Sequence, residues 1–155
     1  MNGGGSCDRS YCAIEDQIRY DLAMTVLDIT SLRYALQQLQ LGMNTAKEKP
    51  ADELVRDGVI YRFKYSHELA LKFIKRVLET VHGDSVDQMA YNDLLRTAAE
   101  REYIENVEQW FEYRKARNQT SHAYDAQMAA LVFTSAEPFL QSARFLLQRL
   151  EERAA

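Results

Sequence analysis

The chain has 155 residues, 46% of them hydrophobic, a net charge of −4, six glycines and two prolines. That balance fits one helical domain with a packed core, and it excludes a protein that coats nucleic acid through overall positive charge. Two cysteines, Cys7 and Cys12, exclude a disulfide framework and a four-ligand zinc site; no apolar run is long enough to cross a bilayer, so no membrane is expected and a reducing cytoplasm is the expected home.

Residues 1–13 open with Met1-Asn2-Gly3-Gly4-Gly5-Ser6 and read as a flexible tail, with a single domain over residues 14–155. The first predicted helix starts near Ile14 or Asp21 and runs to Met43. Its stripe is Leu22, Val26, Ile29, Leu32, Leu36, Leu39 and Met43, at three- and four-residue steps. Gly42, Asn44 and Pro50 then mark its end and a loop. A second helix is predicted from Asp52 to Val81, with Val55, Val59, Phe63, Ala70, Phe73, Ile74, Val77, Leu78 and Val81 on one side. At about 45 Å it is long enough to pair with the first as an antiparallel hairpin. His82-Gly83 closes it, with a left-handed glycine and an imidazole near the negative helix end. Glu79-x-x-His82 also has the spacing of a dinuclear metal ligand pair, but no second pair accompanies it, so the capping reading is preferred.

Residues 84–104 read as a short helix, with Ser85 or Asp87 at its start. The next helix starts near Glu105 or Asn106, carries Val107, Trp110, Phe111 and Arg114 on one face, and uses Trp110 as a core anchor. The last starts near Asp125, with Met128, Leu131, Val132, Phe139, Leu146 and Leu150 facing inward. Pro138 predicts a kink there, or a fresh start capped by Thr134 and Glu137. The expected fold is all-α, an up-and-down antiparallel bundle of four long helices and a short one.

Between the last two predicted helices lies Arg117-Asn118-Gln119-Thr120-Ser121-His122-Ala123-Tyr124, the densest run of chemically useful side chains in the sequence. In an unbroken helix Arg117 and His122 would point about 140° apart and His122 and Tyr124 about 200° apart. The polar run Asn118–Ser121 competes with helix through local side-chain hydrogen bonds, so a break is expected, with Asp125 capping the next helix. The break would let a guanidinium, an imidazole and a phenol share one hollow. A guanidinium is a fixed cation shaped for phosphate, an imidazole moves protons near neutral pH, and a phenol donates a hydrogen bond or accepts a modifying group. Cleaving RNA without a metal needs a base for the 2′-hydroxyl and a cation for the phosphorane-like transition state. Arg114, Lys115 and Arg117, clustered at the start of the segment, are the expected local basic patch for a backbone.

Arg117-x4-His122-x-Tyr124, with polar Asn118 after the arginine, resembles the R-x4-H-x-Y motif of HEPN domains. Residues 56–72, Arg56-Asp57-Gly58-Val59-Ile60-Tyr61-Arg62-Phe63-Lys64-Tyr65-Ser66-His67-Glu68-Leu69-Ala70-Leu71-Lys72, resemble the matching segment of the HepT-like, or nucleotidyltransferase substrate-binding, branch. His67 stands where an apolar or aromatic residue is usual there, and Gly58 replaces the commoner alanine. The resemblance covers roughly residues 20–152. It implies a homodimer paired with a minimal nucleotidyltransferase antitoxin encoded nearby, and an RNA substrate, tRNA being one candidate. It implies Arg117 and His122 as the catalytic pair, with Asn118 and Tyr124 supporting, Tyr124 as an AMP acceptor, and no cofactor or metal; Arg114 and Lys115 join the supporting set on their charge and position alone. Two rivals stand beside this ribonuclease: a non-catalytic nucleotide- or substrate-binding subunit of a nucleotidyltransferase, and a plain helical adaptor. Tyr61, Arg62 and Tyr65 are further candidates to line a groove beside the motif.

Overall fold

The structure is a computed structural model, and it describes residue 14 and residues 28–154. The predicted tail, both cysteines and the Leu22 and Val26 part of the first stripe lie outside the described residues. Within residues 28–154 six α-helices follow in order: α1 (Thr30–Glu48), α2 (Glu53–Thr80), α3 (Tyr91–Glu100), α4 (Val107–Gln119), α5 (Ala126–Thr134) and α6 (Ala136–Ala154). Short 3-10 turns sit at Val86–Gln88 and Thr120–His122. The described chain is all-helical, as the composition and periodicity require.

α1 and α2 form the hairpin. Ser66 reaches the carbonyl of Ala35, Arg62 donates to that of Gln38, and Gly42 packs on Val59, so one helix descends as the other rises. α1 does not stop at Gly42 but runs to Glu48. Glycine at that position answers a packing demand: a Cβ there would sit 3.3 Å from a Val59 methyl and 3.4 Å from the Arg62 stem. α6 lies antiparallel to α1 on its other side, with Arg33 paired to Glu151 and Arg144 donating to Gln40. α2 ends as expected: Gly83 takes φ +70°, and the N–H groups of Gly83 and Asp84 return to the carbonyls of Glu79 and Leu78. His82 spends its Nε2 on the Tyr103 hydroxyl, 3.0 Å away. Among the described residues no three His, Cys, Asp or Glu side chains gather as a metal site.

Several boundaries shift. The segment after α2 begins with a 3-10 turn, and α3 starts only at Tyr91 after Ala90. The last predicted helix is two helices, because Pro138 has no N–H and fits the first turn of a new helix. Thr134 does not cap that helix, since its hydroxyl donates back to the carbonyl of Leu131. The break also separates the two inward faces: α5 buries Ala129 and Val132, and Leu131 is left 58% exposed.

The centre of the bundle is aromatic. Phe63, His67, Trp110, Tyr113 and Phe139 stack edge to face or tilted, at centroid separations of 5.1–6.5 Å. Trp110 is buried, as predicted of a core anchor. The inward face of α4 is Trp110, Tyr113 and Ala116, and Arg114 lies outside it. The Tyr113 hydroxyl finds Ser142 of α6 at 2.8 Å, which ties α4 to α6. With α4 fixed by that anchor, its C-terminal end is held over the middle of α2.

Candidate functional site

The predicted break is present, and its chemistry is local. The Thr120 hydroxyl donates to the Arg117 carbonyl at 2.7 Å, and the Ser121 hydroxyl to the Asn118 carbonyl at 3.1 Å. These carbonyls are among those left over at a helix end, so the hydroxyls satisfy them and let the chain turn. A 3-10 turn carries His122, whose carbonyl takes the N–H of Asp125. Asp125 then caps α5 by accepting from the N–H groups of Gln127 and Met128.

The turn distributes the three motif side chains over the surface of α2. Arg117 is half-buried and pairs with Glu68 of α2 at 2.5 Å. With Asn118 and Arg114 it lines a hollow of about 370 Å³ over His67, Lys72, Lys75 and Tyr91. Tyr124 is 88% exposed and lines a second hollow, of about 310 Å³, with Asp57, Tyr61 and Lys64 of α2. His122 is exposed and lines neither hollow, its ring centroid 6.2 Å from that of Tyr124. His122 and Tyr124 are thus brought together, whereas Arg117 and Tyr124 of one chain do not share a hollow. Lys115 points elsewhere, into a hollow with Glu112, Gln119 and Leu131. The local basic patch is therefore Arg114 and Arg117, three residues apart on one face of α4, without Lys115.

Tyr61 does line the groove beside the motif, and Tyr65 supports it edge-on at 5.5 Å. Arg62 turns the other way, against α1, where it donates to the Gln38 carbonyl. The sequence reading missed Glu68, Lys72, Lys75 and Tyr91. A signal was present on α2: Asp57, Tyr61, Lys64, Glu68, Lys72 and Lys75 recur every three or four residues opposite the apolar stripe. They fall on one helix face over about 27 Å.

His67 forms the floor of the first hollow. It is 2% exposed, and its Nε2 lies 3.3 Å from the Tyr91 hydroxyl. Burial, reinforced by the positive charge of Arg117 and Arg114, lowers its pKa from 6.5 to about 4, so it is neutral at physiological pH. Burial likewise raises the Tyr91 phenol to about 12, against the pull of Arg114. The pair is a neutral hydrogen bond between an imidazole and a phenol.

These features define a helical bundle that presents an arginine, an imidazole and a phenol at a helix junction beside a cationic hollow. The chain belongs to the nucleotidyltransferase substrate-binding protein family, the HepT-like branch: the family model described as nucleotidyltransferase substrate binding protein like matches residues 27–152. It is similar to a Haemophilus influenzae protein named probable ribonuclease HepT, 30% identical over 148 residues, covering 94% of this chain and 95% of that one. It is also similar to a solved Haemophilus influenzae structure described as showing the fold of a substrate binding domain of a nucleotidyltransferase. That match has a TM-score of 0.74 and 28% identity, covering 80% of this chain and 99% of the other.

Proposed function

We propose that this protein is a HEPN-type toxin, a metal-independent endoribonuclease, held in check by a minimal nucleotidyltransferase encoded nearby. The observation that carries the reading is the junction itself: a half-buried Arg117 and an exposed His122 flank a capped turn beside a hollow rich in cations. The 30% identity to a probable ribonuclease supports it.

In this reading His122 takes the proton from a ribose 2′-hydroxyl, and the freed oxygen bonds to the adjacent phosphorus. The phosphorus–O5′ bond breaks, the departing oxygen gains a proton, and Arg117 stabilises the charge on the phosphoryl oxygens. One chain supplies one imidazole, so a second copy across a two-fold axis would supply the donor for the leaving oxygen. A homodimer also gives a role to the exposed Tyr124 and Leu131. Tyr124 is the proposed AMP acceptor. Its phenol oxygen attacks the α-phosphorus of ATP held by the partner enzyme, pyrophosphate leaves, and the phenol proton passes to solvent. The added phosphate would place negative charge beside the His122 ring, the neighbour of Tyr124, and repel the RNA backbone.

The test is RNA cleavage by purified protein in EDTA, where wild type cuts and His122→Ala and Arg117→Ala do not. Undiminished cleavage by His122→Ala would remove the reading. Co-expression with the neighbouring nucleotidyltransferase should add the mass of one AMP to the peptide containing Tyr124. A second reading, a non-catalytic subunit that binds nucleotide for a nucleotidyltransferase, is favoured by the pairing of Arg117 with Glu68, which occupies the guanidinium at rest. It predicts intact RNA and harmless expression, with nucleotide raising the melting temperature.

A further inference from the structure

The hollow beside Arg117 holds more chemistry than cleavage uses. Lys72 and Lys75 rise from α2, Arg114 and Arg117 face them from α4, and the single lining carboxylate is Glu68, already engaged with Arg117. Four cations and one anion thus surround about 370 Å³, in a chain whose net charge is −4. A hollow lined mainly by one sign of charge focuses the field and draws anions into it, whatever the net charge of the chain.

One of those cations is pre-positioned from the core outward. His67, packed among Phe63, Trp110 and Phe139, fixes the Tyr91 hydroxyl. The Tyr91 ring in turn carries the Arg114 guanidinium, whose carbon lies 3.9 Å from the ring centroid. A free surface arginine loses rotamer freedom when it meets an anion; Arg114, already resting on a ring, has less of that freedom to lose. An apolar residue in place of His67 would have no hydrogen bond to offer Tyr91, so the polar floor is a feature of this chain's own sequence.

The size of the hollow favours a nucleotide unit over a bare ion, since it falls within the range of small-ligand pockets, about 300–1,000 Å³. Its position favours a strand over a free nucleotide. It and the Tyr124 hollow follow the same face of α2, over about 27 Å, longer than one nucleotide. We propose that this hollow is a subsite for the backbone phosphate and sugar of a single RNA strand next to the linkage at His122, with Arg114, Lys72 and Lys75 as its phosphate contacts and Tyr91 as the residue that positions Arg114. The subsite rests on the reading of the junction as facing RNA, but strand binding does not require that the strand be cut.

The experiment is fluorescence anisotropy with a short labelled 2′-O-methyl RNA strand, which lacks the attacking hydroxyl, between about 50 and 200 mM salt. Lys75→Gln and Arg114→Gln should each weaken binding threefold to tenfold and lower the slope of log affinity against log salt by about 0.7. Tyr91→Leu should weaken binding as Arg114→Gln does, and Tyr91→Phe, which keeps the ring under Arg114 but loses the hydrogen bond to His67, should weaken it less. Lys75 is exposed, so its variant should melt at the wild-type temperature and report on binding alone. Wild-type binding with slopes unchanged in Lys75→Gln and Arg114→Gln overturns the subsite. Binding of AMP alone, sensitive to the same two variants, with no affinity for the strand, also overturns it and assigns the hollow to a free nucleotide. Lysine-dependent strand binding by a protein that never cuts RNA would instead keep the subsite and remove the nuclease. Cleavage that depends on His122 but not on Lys75 or Arg114 would do the reverse.

Discussion

Replacing His67 with phenylalanine tests whether the floor of the hollow is a buried, neutral imidazole. In the folded protein the pKa of His67 is lowered from 6.5 to about 4, by burial first and by Arg117 and Arg114 second. The sign follows from proton binding. Between these two values the unfolded chain holds a proton on this residue and the folded chain does not, so acid favours unfolding. The associated stability is fully present above pH 6.5 and is lost as the pH falls towards 4. From pH 7 to pH 5 the linkage relation gives a loss of about 2 kcal/mol from this residue alone. Phenylalanine carries no proton and should abolish that part. Its ring matches the surrounding Phe63, Trp110 and Phe139, so stability at pH 7 should change by no more than about 1 kcal/mol as the Tyr91 hydrogen bond is exchanged for apolar contact. The assay is urea unfolding of both proteins at pH 7 and pH 5. Every other titrating group is common to the two, including His82, whose pKa is also lowered by burial, so it cancels in the difference. The variant should lose about 2 kcal/mol less than wild type over that interval. Equal losses in both proteins, within about 0.5 kcal/mol, would mean that His67 accepts a proton in the folded state, and the neutral floor would be wrong.

Three further perturbations have defined outcomes. Asp125→Ala removes the acceptor for the N–H groups of Gln127 and Met128 and should cost about 1 kcal/mol in chemical unfolding. In the proposed nuclease it should also slow RNA cleavage severalfold, because His122 and Tyr124 hang on the turn it fixes. Gly58→Ala should stabilise by about 0.5–1 kcal/mol, read as a rise in melting temperature: the site is an exposed helix interior, and a Cβ there meets nothing within 4 Å. Glu68→Gln removes the carboxylate that occupies Arg117, and should tighten binding of a non-cleavable RNA strand by roughly two- to fivefold while changing stability by less than about 1 kcal/mol. Unchanged affinity would show that the ion pair does not compete with phosphate.

Much of the fold was legible because it depends on periodicity and local stereochemistry. The recurrence of Leu32, Leu36, Leu39 and Met43, and of Val59, Phe63, Ala70 and Ile74, fixes which faces are buried, and both stripes are inside. Gly83 and Asp125 mark a helix end and a helix start whose capping chemistry is local, and Thr120 and Ser121 stop α4 for the same kind of reason. A break at the motif could therefore be read from four polar residues. Tertiary structure decided what lies across from that break. Gly42 looked like a terminator and is a packing surface, because nothing in its own segment announces the approach of Val59 and Arg62. Leu131 fitted an inward pattern only while Pro138 was read within one continuous helix. Most of all, Arg117 meets Glu68 and Arg114 meets Tyr91 across 49 and 23 positions of chain, and only the packing of Trp110 and Tyr113 against the bundle sets α4 at the height where they touch. A sequence specifies what each turn of helix wants to bury; which charged side chains then face one another depends on how the helices are stacked, and that is settled by the whole core at once.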